Sequence, residues 1–214
     1  MAYAKKTDEI AVIKPANIVT TRIKIRGTAP LVINKFSHKA REEMMINNST
    51  PSALKKSKKE REPADYAAKF IGAQHISSEG WNGIAAAAFK TAMVDACRTV
   101  GTVMTKAKMS LWILADGCDA DDGTPLVKII SKKGPERRED MVRNDNGSAD
   151  IRVRPMWREW SAVVVIQFDA DLITGETVLN LLDRAGKQVG ICEGRPFSKN
   201  SCGMGWGTFQ VESK

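Results

Sequence analysis

The most informative segment for the fold is Leu181–Val211, which reads LLDRAGKQVGICEGRPFSKNSCGMGWGTFQV. It closes an amphipathic helix, passes through a loop rich in glycine and basic residues, and ends in a short β-type run. Gly203, Gly205 and Gly207 carry no side chains, so the backbone can bend sharply there or approach another backbone closely. Successive exposed amides can also form a concavity that binds an anion. Two interpretations therefore stand, an anion-binding loop and a plain turn into a closing strand with Trp206 as core filler.

The composition indicates one elaborated domain with a basic surface. The 214 residues suit a single domain, 1–214, that contains large insertions. The formal net charge of +8 favours polyanions such as nucleic acid or an anionic membrane surface. No apolar run approaches the roughly 20 residues of a membrane span, and the N-terminal segment has no signal-peptide core. We therefore expect a cytoplasmic protein without membrane contact.

The cysteines and histidines do not predict a metal or cofactor site. The four cysteines are far apart in sequence, without a C-x-x-C pair, and there are only two histidines, so a zinc site of the usual kind is not expected. The acidic turn at 116–123 carries four aspartates, but their spacing misses the EF-hand pattern and its terminal glutamate. We expect reduced thiols, with Cys97 a core residue of a helix, and no metal or cofactor.

The order of elements predicts an α+β fold. Residues 18–26 alternate between apolar and mostly basic side chains, which is typical of a strand with one buried and one exposed face. The core elements that follow are helix 84–100, strand 109–115, strand 161–168 or 126–130, helix 174–187 capped by Thr174, and strand 207–212. This is a ferredoxin-like β-α-β-β-α-β core. Segments 109–115 and 126–130 are also expected to form a hairpin.

Two polar, basic insertions interrupt this core, at about 34–71 and 131–158. The first has a predicted helix at 38–47, a dense charge run at 55–61 and a return to the core at 63–71. The second combines arginines with Trp157, and basic residues interleaved with aromatics are what a groove for single-stranded nucleic acid requires. The alternative for the second insertion is a solvated loop.

The end of the first strand, Ile25-Arg-Gly-Thr-Ala-Pro-Leu31, and the loop Gly194–Gly207 together resemble the RAMP superfamily. These are the repeat-associated RNA-binding proteins of CRISPR systems, and their backbone subunits, which polymerise along guide RNA, are the nearest analogy. A phage or mobile-element protein that reuses the fold is an equal alternative. The resemblance implies that backbone phosphates lie against Gly203, Gly205 and Gly207 and against the basic first insertion, in a homo-oligomer or a larger ribonucleoprotein.

These observations predict a non-catalytic protein that binds single-stranded RNA or DNA and oligomerises along the strand. A phage structural or assembly protein is the first alternative, and a metal-independent ribonuclease with His38 as general base is the second. No feature reads a 2′-hydroxyl, so RNA and DNA both remain open. No catalytic residue is assigned. The predicted nucleic-acid-binding residues are Lys35, His38, Lys39, Lys55, Lys56, Lys58, Lys59, Arg137, Arg138, Arg152, Arg154, Trp157, Arg158, Arg195, Lys199, Gly203, Gly205, Trp206 and Gly207.

Overall fold

The computed structural model describes residues 14–36, 38–49, 65–143, 147, 149–198 and 203–212. The strands are β1 (Ile18–Gly27), β2 (Leu31–Val32), β3 (Gly83–Ala85), β4 (Leu111–Leu114), β5 (Gly117–Cys118), β6 (Pro125–Lys128), β7 (Glu136–Arg143), β8 (Ala149–Trp157), β9 (Ser161–Asp169) and β10 (Phe209–Val211). The α-helices are α1 (His38–Ser49), α2 (Tyr66–Gly72), α3 (Ala86–Ala96), α4 (Met104–Ser110) and α5 (Gly175–Arg184). Helices and antiparallel strands are mixed along the chain, which confirms the predicted α+β class.

The principal sheet has four strands in the order β10-β1-β9-β4, and every pairing in it is antiparallel. Strand β1 is central, and Ile23 lies opposite Val164 of β9. Because side chains alternate across a strand, Ile23, Ile25 and their β9 neighbours share one buried face. Of the two segments 161–168 and 126–130, it is therefore the first, as part of Ser161–Asp169, that pairs with β1.

Two helices cover the buried face of the principal sheet. Helix α3 brings Phe89, whose ring meets Phe209 of β10 edge-on with 6.0 Å between centroids. Helix α5 begins at Thr174, whose hydroxyl accepts a hydrogen bond from the Thr177 amide at 3.2 Å, as the sequence predicts. It packs Val178, Leu181 and Leu182 into the same core, whereas Leu179 is exposed. Residues 185–189 continue α5 as a turn of π-helix.

A second sheet, β2-β8-β7, occupies the region predicted as a polar insertion at 131–158. The solvated-loop alternative is thus wrong, since β7 and β8 form a long hairpin that pairs Glu136 with Met156 and Arg143 with Ala149. Five successive residues at the end of β8, Val153–Trp157, are buried. They are covered on both faces, because α2 packs against β8 on one side and the glycine-rich loop lies on the other.

The third sheet, β3-β6-β5, corrects the predicted pairing of 109–115 with 126–130. Strand β4 instead pairs with β9, with Leu111 opposite Phe168. Strand β6 pairs with β3 and with the short β5, where Gly117 lies opposite Leu126. The hairpin exists, but only between residues 117–118 and 125–126. The segment before β4 forms the extra helix α4 rather than extending the strand.

Candidate nucleic-acid interface

The face of the principal sheet opposite the helices presents a basic row on its central strand. Thr20, Arg22, Lys24 and Arg26 of β1 alternate with the buried residues and are exposed. Strand β1 carries no acidic residue. The row therefore places three positive charges along one line, spaced about two residues, or ~6.8 Å, apart.

The strands beside β1 add apolar and aromatic groups to this face. On β9, Val163 lies opposite Lys24 and Val165 lies opposite Arg22. One strand further out, Leu114 of β4 pairs with Val165, and Trp112 of β4 pairs with Gln167. The open sheet face, defined by Arg22, Lys24, Arg26, Val163, Val165, Trp112 and Leu114, thus combines cationic groups with apolar surface.

Among the described residues, two of the three cations on this face have no carboxylate within ion-pair distance. Lys24 Nζ lies 2.7 Å from Glu212 Oε2, so its charge is balanced within the chain. Within the part of the chain that the structure describes, Arg22 and Arg26 make no ion pair. Their guanidinium groups are available for phosphate, which they can bind in bidentate fashion.

The predicted arginines of the β7–β8 hairpin, in contrast, mostly face carboxylates of the same hairpin. Arg137 lies 2.6 Å from Glu139, and Arg158 Nε donates to Glu136 at 2.8 Å. Arg138 donates from Nε to both carboxylate oxygens of Asp140. Arg152 is exposed and stands directly across the ladder from the same aspartate. Because these positive charges are largely balanced within the hairpin, we expect it to bind phosphate more weakly than the open sheet face.

Two further predicted contacts, Trp157 and Arg154, are buried, so the structure leaves them little surface for a ligand. Trp157 belongs to the hydrophobic core. The Arg154 side chain is only 4% exposed, with Nη2 at 3.1 Å from Glu193 Oε1. Neither Nε nor Nη2 of Arg154 makes an aligned hydrogen bond within the protein, so the contact with Glu193 is a charge pairing.

The glycine-rich loop is shaped by close packing as well as by turns. Gly207 has φ of 66°, and a β-carbon there would lie 1.9 Å from the Ile191 carbonyl oxygen. Its amide donates to the Pro30 carbonyl at 2.8 Å, so the Gly207 amide that was expected to face a phosphate is already used within the fold. Gly203 and Gly205 also have positive φ, but each faces open space.

Trp206 and Arg195 are held inside this loop. The Arg138 guanidinium carbon lies 4.4 Å from the Trp206 ring centroid, and the indole also lies close against Gly194. Arg195 donates to the Cys192 and Phe197 carbonyls, which fixes the loop from within. Trp206 thus locks the loop onto the hairpin rather than presenting a free ring.

Lys35, another predicted nucleic-acid contact, lies in a buried ion-pair network, so its charge is already balanced within the chain. Its side chain is 6% exposed, and Nζ lies 2.7 Å from Asp119 Oδ1 and 3.1 Å from Asp121 Oδ2. His75 Nδ1 lies 2.7 Å from the other oxygen of Asp119. Burial by itself would raise the pKa of Asp119, but the hydrogen bonds from Lys35, the Asp121 amide and His75 outweigh burial and lower it.

The same network anchors the acidic turn to α1. Arg41 of α1 lies 3.2 Å from Asp122. Hydrogen bonds from Thr124, with a further one from Arg41, lower the pKa of Asp122 to about 2. The turn that superficially suggests calcium is thus occupied by protein cations. Across the described ranges, no group of three or more His, Cys, Asp or Glu residues could hold a metal ion.

Several predicted contacts lie outside what the structure describes. These are Lys55, Lys56, Lys58, Lys59 and Lys199, together with the side chains of His38 and Lys39 on α1. The prediction of His38 as a general base for the ribonuclease alternative therefore stays a prediction. None of the described helices combines the length and the apolar character of a membrane span.

The sequence reasoning missed the open sheet face as a site, although its signal was present. The alternation over 18–26 showed a basic strand face, but basic residues on a strand are usually only solvated. In the sequence, Trp112 lies within a predicted apolar strand. Only the register of β4 against β9 places it on the same face of the sheet as the basic row. Comparison with protein-family models and with curated proteins finds no match to this chain.

Proposed function

We propose that this chain is a non-catalytic protein that binds single-stranded RNA or DNA on the open sheet face and oligomerises along the strand. The observation that carries the proposal is the exposed row on β1, in which Arg22 and Arg26 have no carboxylate partner in the described part of the chain. A positively charged surface that tracks a phosphate backbone, next to apolar groups that accept bases, is the general requirement for binding single strands.

The arrangement of the core supports a ferredoxin-like fold as the scaffold. The strands of the principal sheet correspond to the first (β1), second (β4), third (β9) and fourth (β10) core strands, in the spatial order fourth, first, third, second. Helices α3 and α5 follow the first and third of these and pack on one face. That leaves the other face for a ligand, which is compatible with a relationship to the RAMP superfamily or to a phage or mobile-element protein.

Binding should be electrostatic and sensitive to salt. Each phosphate neutralised on a single strand contributes a slope of about −0.7 to the dependence of log Kobs on log salt. Loss of the two unpaired arginines should therefore reduce the slope by about 1.4 if each contacts one phosphate. Lys24 should contribute less than either arginine, since Glu212 already balances its charge.

The test is fluorescence anisotropy with labelled single-stranded RNA and DNA of about thirty nucleotides at several salt concentrations. The variant Arg22→Ala/Arg26→Ala should bind more weakly and with a shallower salt slope. The matched control is Arg137→Ala/Arg158→Ala, which removes the same charge from arginines already paired to Glu139 and Glu136. Equal losses in both variants, or no binding by the wild type at low salt, would overturn the proposal.

A second candidate, an assembly or structural protein, is favoured by the exposed apolar side chains of α1. Met44, Met45 and Ile46 are each more than half exposed on consecutive positions of the helix. Solvent-exposed clusters of this kind often mark contacts between proteins. Light scattering of the wild type and of Met45→Lys, without nucleic acid, separates the candidates. Assembly that occurs without nucleic acid and is lost in Met45→Lys would favour the structural role.

A further inference from the structure

Among the five tryptophans, Trp112 is the one that the described part of the chain neither buries nor pairs with a polar or charged group. Trp157 and Trp160 are buried in the core. The Trp81 indole donates to Glu79 and lies beneath the Lys128 ammonium, and Trp206 is stacked by Arg138. Trp112 is 39% exposed, and the described residues give its indole no hydrogen bond, ring contact or cation.

The exposure of Trp112 is fixed by the register of its strand. Leu111 is fully buried opposite Phe168, so the next residue along β4 must point to the opposite face. Tryptophan buries a large area when it is used for the core, whereas Trp112 on its four-residue edge strand leaves 39% of its surface exposed. The indole is therefore placed on the same side of the sheet as the basic row, where part of its surface is open to solvent.

The surface between Trp112 and the arginines suits one or two nucleotides. Strands β4, β9 and β1 are neighbours, and adjacent strands lie about 4.8 Å apart, so the Trp112 backbone is roughly 10 Å from that of β1. Next to Trp112 on the same face, Leu114 of β4 pairs with Val165 of β9, and Val165 pairs with Arg22 of β1, so apolar side chains lie between the β4 edge and the arginine. A base lying on the indole could thus direct its phosphates to β1.

We infer that Trp112 is the base-stacking residue of the open sheet face, so that the face takes unpaired bases and rejects duplex. The inference rests on the proposed function and adds the identity of the group that contacts the bases. Stacking on an aromatic ring is tolerant of sequence because every base has a π-face. In a duplex those faces are covered by neighbouring pairs, and a flat indole on a sheet cannot reach them.

The experiment compares Trp112→Ala and Trp112→Phe with the wild type on three labelled probes. These are a single-stranded dT oligonucleotide of twelve residues, a duplex of the same length, and an abasic strand with the same phosphates. We expect Trp112→Ala to bind the dT strand about 5- to 150-fold more weakly, with an unchanged salt slope, and Trp112→Phe to retain most of the affinity. The wild type should bind the abasic strand and the duplex about as weakly as Trp112→Ala binds dT.

Two further readouts keep the inference apart from the proposed function. Binding of dT should quench tryptophan fluorescence in the wild type and much less in Trp112→Phe. Trp81→Phe is the control, because it keeps Trp112 and should still be quenched when dT binds. Circular dichroism checks that each variant is folded. Salt-sensitive binding that is equal for dT and the abasic strand, and unchanged in Trp112→Ala, overturns the base-stacking role alone. Absence of binding to every probe by the wild type overturns both.

Discussion

Removal of Asp119 should unfold the protein more readily than any other single change in the acidic turn. The Asp119 side chain is 1% exposed and receives both the Lys35 ammonium and the His75 ring, each at 2.7 Å. Asp119→Ala leaves the buried lysine with only Asp121, whose side chain is 43% exposed and lies at 3.1 Å. Loss of one partner of a buried pair costs about 3–5 kcal/mol, because the other charge stays buried without compensation.

A double-variant cycle shows how that free energy is divided. Lys35→Met should cost about 1–3 kcal/mol, less than Asp119→Ala, since Asp119 keeps His75 and the Asp121 amide. The double variant Lys35→Met/Asp119→Ala should cost less than the sum of the two single changes, by about 0.5–3 kcal/mol. The amount by which the summed costs of the two single changes exceed the cost of the double change measures the direct coupling between the Lys35 ammonium and the Asp119 carboxylate.

Urea unfolding followed by tryptophan fluorescence provides the measurement, because Trp157 and Trp160 are buried and report on the core. With m of about 1–3 kcal/mol per M, Asp119→Ala should lower the midpoint by at least about 1 M at unchanged m. Glu139→Ala is the control, since its ion pair with Arg137 is exposed and should contribute no more than about 1 kcal/mol. A loss below about 1 kcal/mol in Asp119→Ala would refute the reasoning, since it would mean that the network is solvated.

Two other predictions concern the glycine-rich loop and the acid limb of stability. Gly205→Ala, at φ of 76° in open space, should cost about 1–2 kcal/mol of unfolding free energy. Gly207→Ala, at a similar φ but against the Ile191 carbonyl, should cost clearly more, and equal urea midpoints for the two variants would contradict the close approach. The pKa of Asp122 is lowered from 3.8 to about 2, so its contribution is complete above about pH 4 and is lost as the pH falls toward 2. Arg41→Ala should therefore destabilise the protein at pH 6 and progressively less below pH 4, and a loss independent of pH in urea titrations would argue against the pairing.

The core of the fold could be predicted because its strands carry strong local patterns. Alternation over 18–26 identified β1, and the continuous apolar run at 161–168 predicted a fully buried central strand. Strand β9 does lie between β1 and β4, but only alternate residues of it are buried, because its other side belongs to the open sheet face. The cap at Thr174 placed the start of α5. Each of these signals depends only on residues near one another in sequence, which is why the sequence alone was sufficient.

The second sheet could not be predicted, because its burial depends on distant partners. Strand β7 is charged at almost every position, a composition typical of a loop, and its hairpin is ordered by pairing with β8. The burial of Arg154 and Trp157 arises from α2 and from the loop after α5, both far away in sequence. The burial of Lys35 could not be predicted for the same reason, since its partner Asp119 follows 84 residues later.

The pairing of β1 has a consequence for synthesis on the ribosome. Both neighbours of β1 in the sheet, β9 and β10, come from residues 161 and beyond. At about 5–20 residues per second, the chain must extend for roughly 7–30 s after Gly27 before Asp169 has been added. During that interval the first strand has neither ladder, and its backbone amides and apolar face are exposed to other nascent chains. The positive charges of Arg22, Lys24 and Arg26 then act as gatekeepers, because they make edge-to-edge association of identical strands unfavourable.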